Sequence, residues 1–293
     1  MTRRYALTAV TLALLNACAG VAAAQGPDRT GGRRVQLRLV ADSGVVGHFR
    51  FTGQLTSRLV FDIPEDDPRH DLLAAVTAPQ STTRDVAGTV VSTPAAADED
   101  RRYLIYWLGY RFSGEEDRTL SPVAWDSIFQ KVGRRATLRF SPLGRPLGVQ
   151  VSSDAVRPVA RSLADILAGL AMALPADSVG LGGRWEGQVA VPITAPDGSR
   201  QEALVQVTYR LAEVSREPDG VRARIEFDGE PVGVSIGVRT VSGEYFGESV
   251  FSVSGGYYEE MMALANLEVN WEDTSGLPPS RTVIEWRGQL IRR

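Results

Sequence analysis

The chain has 293 residues, 43% of them hydrophobic, and carries 35 acidic against 32 basic side chains. That length and apolar content can bury a substantial core, and the interspersed, slightly negative charge argues against nucleic acid or an anionic membrane surface as a partner. Cys18 is the only cysteine, so no intramolecular disulfide can form and stability has to come from burial.

Arg3 and Arg4 precede an apolar run from Tyr5 to Leu15 that is too short to remain in a bilayer, which is the pattern of a secretory signal. Two processing routes are open. The small residues Ala22 and Ala24 suit cleavage after Ala24, making 1–24 the signal peptide and Gln25 the first mature residue. Alternatively, "LNAC" at 15–18 resembles a bacterial lipobox with Cys18 as lipid acceptor, the one route by which the chain would touch a membrane. Either route predicts an extracytoplasmic protein, in the periplasm, secreted, or anchored as a lipoprotein. Loss of the signal removes two arginines and no acid, leaving 30 basic and 35 acidic residues.

Residues 25–33 read as a flexible polar leader into a single β-rich domain over 34–293. From Arg34 apolar and polar residues alternate, the period of a half-buried strand. In "GHFRFTGQLTSRLVFD" Phe49, Phe51, Leu55, Leu59 and Phe61 share one face, and His48, Arg50 and Thr52 the other. "SPVAWDSIFQKVG" is a short helix candidate, and "ATLRFSPLGRPLGVQV" a pair of strands. The rhythm then breaks. "DAVRPVARSLADILAGLAMALP" sets Val156, Val159, Leu163, Ile166, Leu167, Leu170 and Leu174 on a helical stripe with a thin polar face, predicting a helix over about 154–174 packed broadly on sheet. Strands resume. Val205, Val207, Tyr209 and Leu211 lead to the turn signal Pro218-Asp219-Gly220 and on to Ala223, Ile225 and Phe227, an antiparallel hairpin. Roughly ten to twelve strands are expected in all.

This order, strands then one helix then more strands, excludes a parallel α/β sheet. It predicts a mainly β fold with a minor helical part, in which a single strongly curved antiparallel sheet, a half-barrel, wraps around one central helix. With its export signal, its helix from Asp154 to Leu174, "GLGGRWEGQVAV" bringing Trp185 into a strand, and the late "GESVFSVSGGYYEE" strand pair, the chain resembles the LolA and LppX-like half-barrel proteins of the bacterial envelope over roughly Arg34 to Ile291. The resemblance is architectural and implies a concave apolar face able to take an acyl chain or similar hydrophobic molecule. From the sequence, candidate lining residues for such a cavity are Phe49, Phe51, Trp107, Leu163, Leu167, Leu170, Trp185 and Tyr209. The competing reading makes the same side chains an ordinary packed core.

Several enzymatic motifs fail on inspection. "GVSIG" at 233–237 matches a nucleophile elbow, but β-branched residues continue past it where a helix should begin, and both histidines, His48 and His70, precede Ser235. Asp42-Ser43-Gly44 resembles one half of an aspartic-protease dyad; no second copy occurs, since "EDTSG" at 272–276 has an extra residue, and a turn explains the first. Two distant histidines with no mature cysteine lack zinc-ligand spacing, and the acidic clusters lack the glycine of a calcium loop. Ser127 and Lys131 share a helical face, but an exposed lysine stays charged and makes a poor base. The sequence therefore predicts no catalytic residues, no metal and no cofactor. The leading expectation is an exported, non-enzymatic binding or carrier module for a hydrophobic ligand such as a lipid. The runner-up is a structural or interaction domain with a filled core, and a secreted hydrolase comes third.

Overall fold

Alternation produces strands, and in the computed structural model eleven of them form among the described residues: β1 (Gly44–Phe61), β2 (Gln80–Ser92), β3 (Arg101–Ser113), β4 (Arg135–Phe140), β5 (Pro146–Val151), β6 (Arg184–Thr194), β7 (Arg200–Glu217), β8 (Gly220–Val234), β9 (Val238–Ser252), β10 (Tyr257–Trp271) and β11 (Ser280–Arg292). One helix, α1 (Arg157–Gly169), lies between β5 and β6. The structure describes residues 34–293 apart from 41, 43, 65, 70–76, 97–98, 114–134, 152, 171–172, 196–199, 235–237 and 272–278. The signal region with Cys18, His70, the helix candidate at 121–133 with Ser127 and Lys131, and Ser235 thus lie outside the described residues.

All strands join one antiparallel sheet in the order β5-β4-β3-β2-β1-β11-β10-β9-β8-β7-β6. The chain enters at the centre of the sheet and meanders out to one edge through β5. It then crosses by way of α1 to the opposite edge and meanders back until β11 pairs with β1. The sheet is open, and α1 packs against both edge strands as well as β1, β2 and β11. A single curved antiparallel sheet around one helix is therefore the observed architecture. Edge strands risk pairing with other chains. Here one edge is the short β5, with Pro146 and Gly148, and the other carries Pro192, which has no N–H to offer a neighbour.

The alternating faces sort as the pattern requires. Phe49 and Phe51 on β1, Val205, Val207, Tyr209 and Leu211 on β7, and Ala223, Ile225 and Phe227 on β8 are buried on the inner face. Leu55, Leu59 and Phe61 share that face but are only partly buried. The predicted hairpin forms, with Glu217 opposite Gly220 across Pro218 and Asp219.

The helix is shorter than its apolar stripe. A 3-10 turn at Asp154–Val156 precedes α1, Pro158 sits in the first turn, and Leu170 leaves the helix with extended backbone (φ −81°, ψ 125°). Leu170 and Leu174 are still buried, but from beyond the helix. Tertiary partners explain the early stop. The Tyr245 hydroxyl donates to Gly169 O (2.9 Å), Trp185 Nε1 donates to Ala173 O (3.0 Å), and Leu174 N donates to Leu143 O (2.7 Å). Bonds like these replace those a continuing helix would make.

A second difference concerns residues 34–40. Val35, Leu37 and Leu39 alternate as a strand would, but only Val35 bridges, to Val179. The segment is instead an extended strap across the end of the sheet at which β1 begins. Val40 N donates to Gly256 O (2.8 Å), Arg38 Nη1 to Pro175 O (2.7 Å) and Arg34 Nε to Ser178 O (2.9 Å). Leu37 and Leu39 turn inward and are buried. Of "GVSIG", Gly233 and Val234 end β8 and residues 235–237 lie outside the described residues; a Cβ on Gly233 would meet open space.

Candidate functional site

Inside the curve, beneath the strap, is an apolar cavity of about 60 Å³. Leu39 of the strap forms its roof and Leu167 of α1 stands on its inner side. Phe49 and Phe51 on β1, Val90 on β2, Leu138 and Phe140 on β4, and Leu290 on β11 contribute the walls. Tyr103 turns its hydroxyl away, donating to Val40 O (3.1 Å). Val46, Tyr257 and Tyr258 complete the lining toward the strap. A lining of hydrocarbon and aromatic rings gives an ordered water too few partners, so such a space excludes water and accepts apolar groups. At roughly 30 Å³ per water-sized group, it takes about two carbons without rearrangement.

Of the residues proposed from sequence, Phe49, Phe51 and Leu167 stand on this cavity. Leu163 and Leu170 are fully buried in the contact between helix segment and sheet. Trp107 is also buried, and its indole N–H has no partner among the described residues. Trp185 and Tyr209 belong to an aromatic row across β6, β7, β8 and β9. Their rings stack at 5.5 Å between centroids, Tyr209 to Phe227 is 5.8 Å, and Phe227 to Tyr245 is 5.7 Å. The Tyr209 hydroxyl lies near Ala173 O but outside hydrogen-bond geometry, and burial pushes its pKa well above the usual phenol range. Tyr209, Phe227 and Tyr245 are buried in the core, and Trp185 packs against it partly buried.

Sequence reasoning missed the other nine lining residues, among them Leu39, Val46 and Tyr257. The inward parity of Leu37 and Leu39 was visible, but a strap and a strand share that pattern. Val46 is displaced by the irregularity between Val45 and Gly47, where β1 slips against β2.

A cation stands at the rim. Arg292 is the next inward-pointing residue after Leu290 on β11 and sits opposite Phe49. Its Nε donates to Val46 O (3.0 Å) and its guanidinium carbon lies 4.2 Å above the Tyr257 ring. Gly47 makes room for it, since a Cβ there would come within 2.5 Å of Arg292 Nε.

No protein-family model matches the sequence, and no curated protein matches it. Among solved structures, lipovitellin, from a study of its lipid–protein interactions, aligns over 87% of this chain at 12% identity with a TM-score of 0.41; the chain spans a quarter of that protein. The hypothetical lipoprotein YmcC of Escherichia coli aligns over 79% of this chain and 85% of its own, at 11% identity and a TM-score of 0.24. DynF of the dynemicin pathway of Micromonospora chersina aligns over 92% and 90%, at 10% identity and a TM-score of 0.21.

The other sequence candidates resolve simply. His48 is exposed on the outer face, its Nδ1 2.9 Å from Thr89 Oγ1. Asp42 is an exposed bend residue before β1, and its carbonyl accepts the Ser92 hydroxyl. Among the described residues no group of three or more His, Cys, Asp or Glu is placed to hold a metal ion, and no helix is long and apolar enough to cross a membrane.

Proposed function

We propose that the chain is an exported, non-enzymatic carrier or binding module for a hydrophobic ligand, in the manner of the LolA and LppX-like half-barrels. The observation that carries this reading is the cavity: a space with an apolar lining at the end of an open sheet, roofed by a short strap instead of by the sheet itself. An acyl chain needs more room than the cavity has. Ligand pockets run to about 300–1,000 Å³, so loading requires the strap or α1 to move outward, as a sheet with two free edges permits. Native mass spectrometry and solvent extraction of the purified chain test this. A co-purifying lipid, or uptake of one on challenge, is the expected result, and protein that stays empty after challenge overturns it.

A second reading has its own observation. Most of the concavity is filled by α1, the aromatic row and Trp286, as in a domain whose role lies on its surface. In that reading the cavity is a packing defect and no lipid is retained.

A further inference from the structure

We infer that Arg292 is a head-group residue, and that the cavity beneath the strap binds anionic amphiphiles: a linear hydrocarbon chain entering between Leu39 and Leu290 with its carboxylate or phosphate on the Arg292 guanidinium. The inference rests on the carrier reading and narrows it from any apolar molecule to one with a negatively charged end.

Three observations converge. First, Val46 and Tyr257 line the cavity, and Arg292 contacts both, one through Nε and one across the ring face. The cation is thereby held at the border between apolar space and solvent. Second, its Nε is committed to Val46 O, while its terminal nitrogens face no carboxylate among the described residues. A guanidinium fixed at one nitrogen and open at the other two is set up for a bidentate grip on a planar or tetrahedral oxyanion. Third, several other arginines at this end are engaged. Arg34 and Arg38 cap the carbonyls of Ser178, Pro175 and Ala176, Arg101 holds those of Ala96 and Glu99, and Arg139 pairs with Asp100. A cation placed only to satisfy the fold would be expected to end like these, with its terminal nitrogens on carbonyls or a carboxylate.

The geometry sets the polarity of binding. Leu290 and Arg292 are successive inward positions on one strand, so roughly 7 Å of rise separates chain contact from head contact. The methyl end therefore points toward Leu167 and the head toward solvent.

Calorimetric titration of the purified chain with octanoate, octyl phosphate and octanol tests this, read beside the methyl NMR shifts of Leu39, Leu167 and Leu290. Both anionic probes are expected to bind and move those methyls, and Arg292→Gln to weaken them by roughly tenfold, the worth of a charge-assisted pair. Octanol affinity should be unchanged by the substitution, and Arg292→Lys should retain part of the anion preference. Because Arg292→Gln also loses the bond to Val46, wild-type protein supplies an independent arm: octanoate binding must weaken with added salt and octanol binding must not. A preference for octyl phosphate over octanoate points to a phospholipid source, and the reverse to a free fatty acid. Octanol and octanoate binding equally, with equal response to salt, overturns the role of Arg292 and leaves the carrier reading standing. Failure of all three probes to bind overturns both.

Discussion

Gly53 on β1 and Gly288 on β11 lie directly opposite one another, and α1 crosses above the pair. A Cβ on Gly53 would come within 2.7 Å of Ile166 Cγ1, and one on Gly288 within 2.9 Å of Leu170 Cδ2 and closer still to the Trp286 ring. The row continues through Ala263 on β10 to Gly247 on β9. Small residues across four neighbouring strands make a trough, which Ile166 of the helix fills over Gly53, Trp286 and Leu170 over Gly288, and the Phe227 ring beside Gly247. Gly53→Ala is therefore expected to cost about 1–3 kcal/mol through overpacking. Ile166→Ala alone should cost about 2–5 kcal/mol. The double variant should lose less than the sum, because the truncated side chain makes room for the new methyl. Urea denaturation of the three variants checks this, and simple additivity would show that the contact does not set the helix height.

The inner face also holds a charge pair. Arg84, opposite Gly53 on β2, reaches Asp165 of α1 at 2.7 Å, with side chains 13% and 20% exposed. Breaking such a pair leaves a charge in a poorly solvated place. Asp165→Asn should destabilise by about 2 kcal/mol, less than a fully buried pair because both groups still reach some water. Asp154→Asn, which disrupts the Arg157 pair on the exposed side of the helix start, should change stability by at most about 0.5 kcal/mol. Equal losses in the two variants would contradict the difference in burial.

Alkaline pH should unfold the protein. Burial holds Tyr103, Tyr209 and Tyr258 in the neutral form well above the ordinary phenol range. In the unfolded chain each titrates near about 10. Below that pH both states keep the protons and the contribution to stability is complete. As pH rises through about 10 and beyond, the unfolded chain releases protons that the folded chain retains, and stability falls. Denaturation midpoints should thus be level across neutral pH and decline above about 10. Tyr209→Phe should make the decline shallower without repositioning the ring in its stack on Trp185. Ring NMR shifts of Tyr103, Tyr209 and Tyr258 showing phenolate before the loss of secondary structure would show that these tyrosines ionise in the folded state and that this account is wrong.

How much of this was legible in the sequence follows from the range of the interactions. The strands and the hairpin at Pro218-Asp219 could be read, because period-two alternation and turn chemistry are local. The single helix inside a curved sheet was also readable, since one long apolar stripe among strands has few other places to go. The end of α1 was not, because the carbonyls of Gly169 and Ala173 are taken by Tyr245 and Trp185, residues far along the chain. The cavity was legible in part. Phe49, Phe51 and Leu167 announced inward positions, but whether an inward side chain meets a partner or a void depends on how eleven strands curve together. Arg292, the penultimate residue, gave no signal of its own. Its place is set by register with Phe49 and by the slip of β1 at Gly47.

The cavity itself separates the two functional readings energetically. An unfilled apolar space costs about 24 cal/mol per Å³ relative to a filled one, so 60 Å³ corresponds to about 1.4 kcal/mol of stability left unused. Val90→Leu adds one methylene at the wall of this space and should recover part of it, raising stability by up to about 1 kcal/mol. In a filled-core domain that gain has no further consequence, and the variant should match the wild type in every other measurement. In a carrier the same methylene occupies the place of the ligand's chain end, so lipid retained through purification and affinity for octanoate should both fall while the fold becomes firmer. Denaturation curves and extracted lipid, measured on one preparation of Val90→Leu, give both readouts. Higher stability with lost retention identifies a binding site kept open for its ligand, whereas higher stability alone identifies a defect in packing.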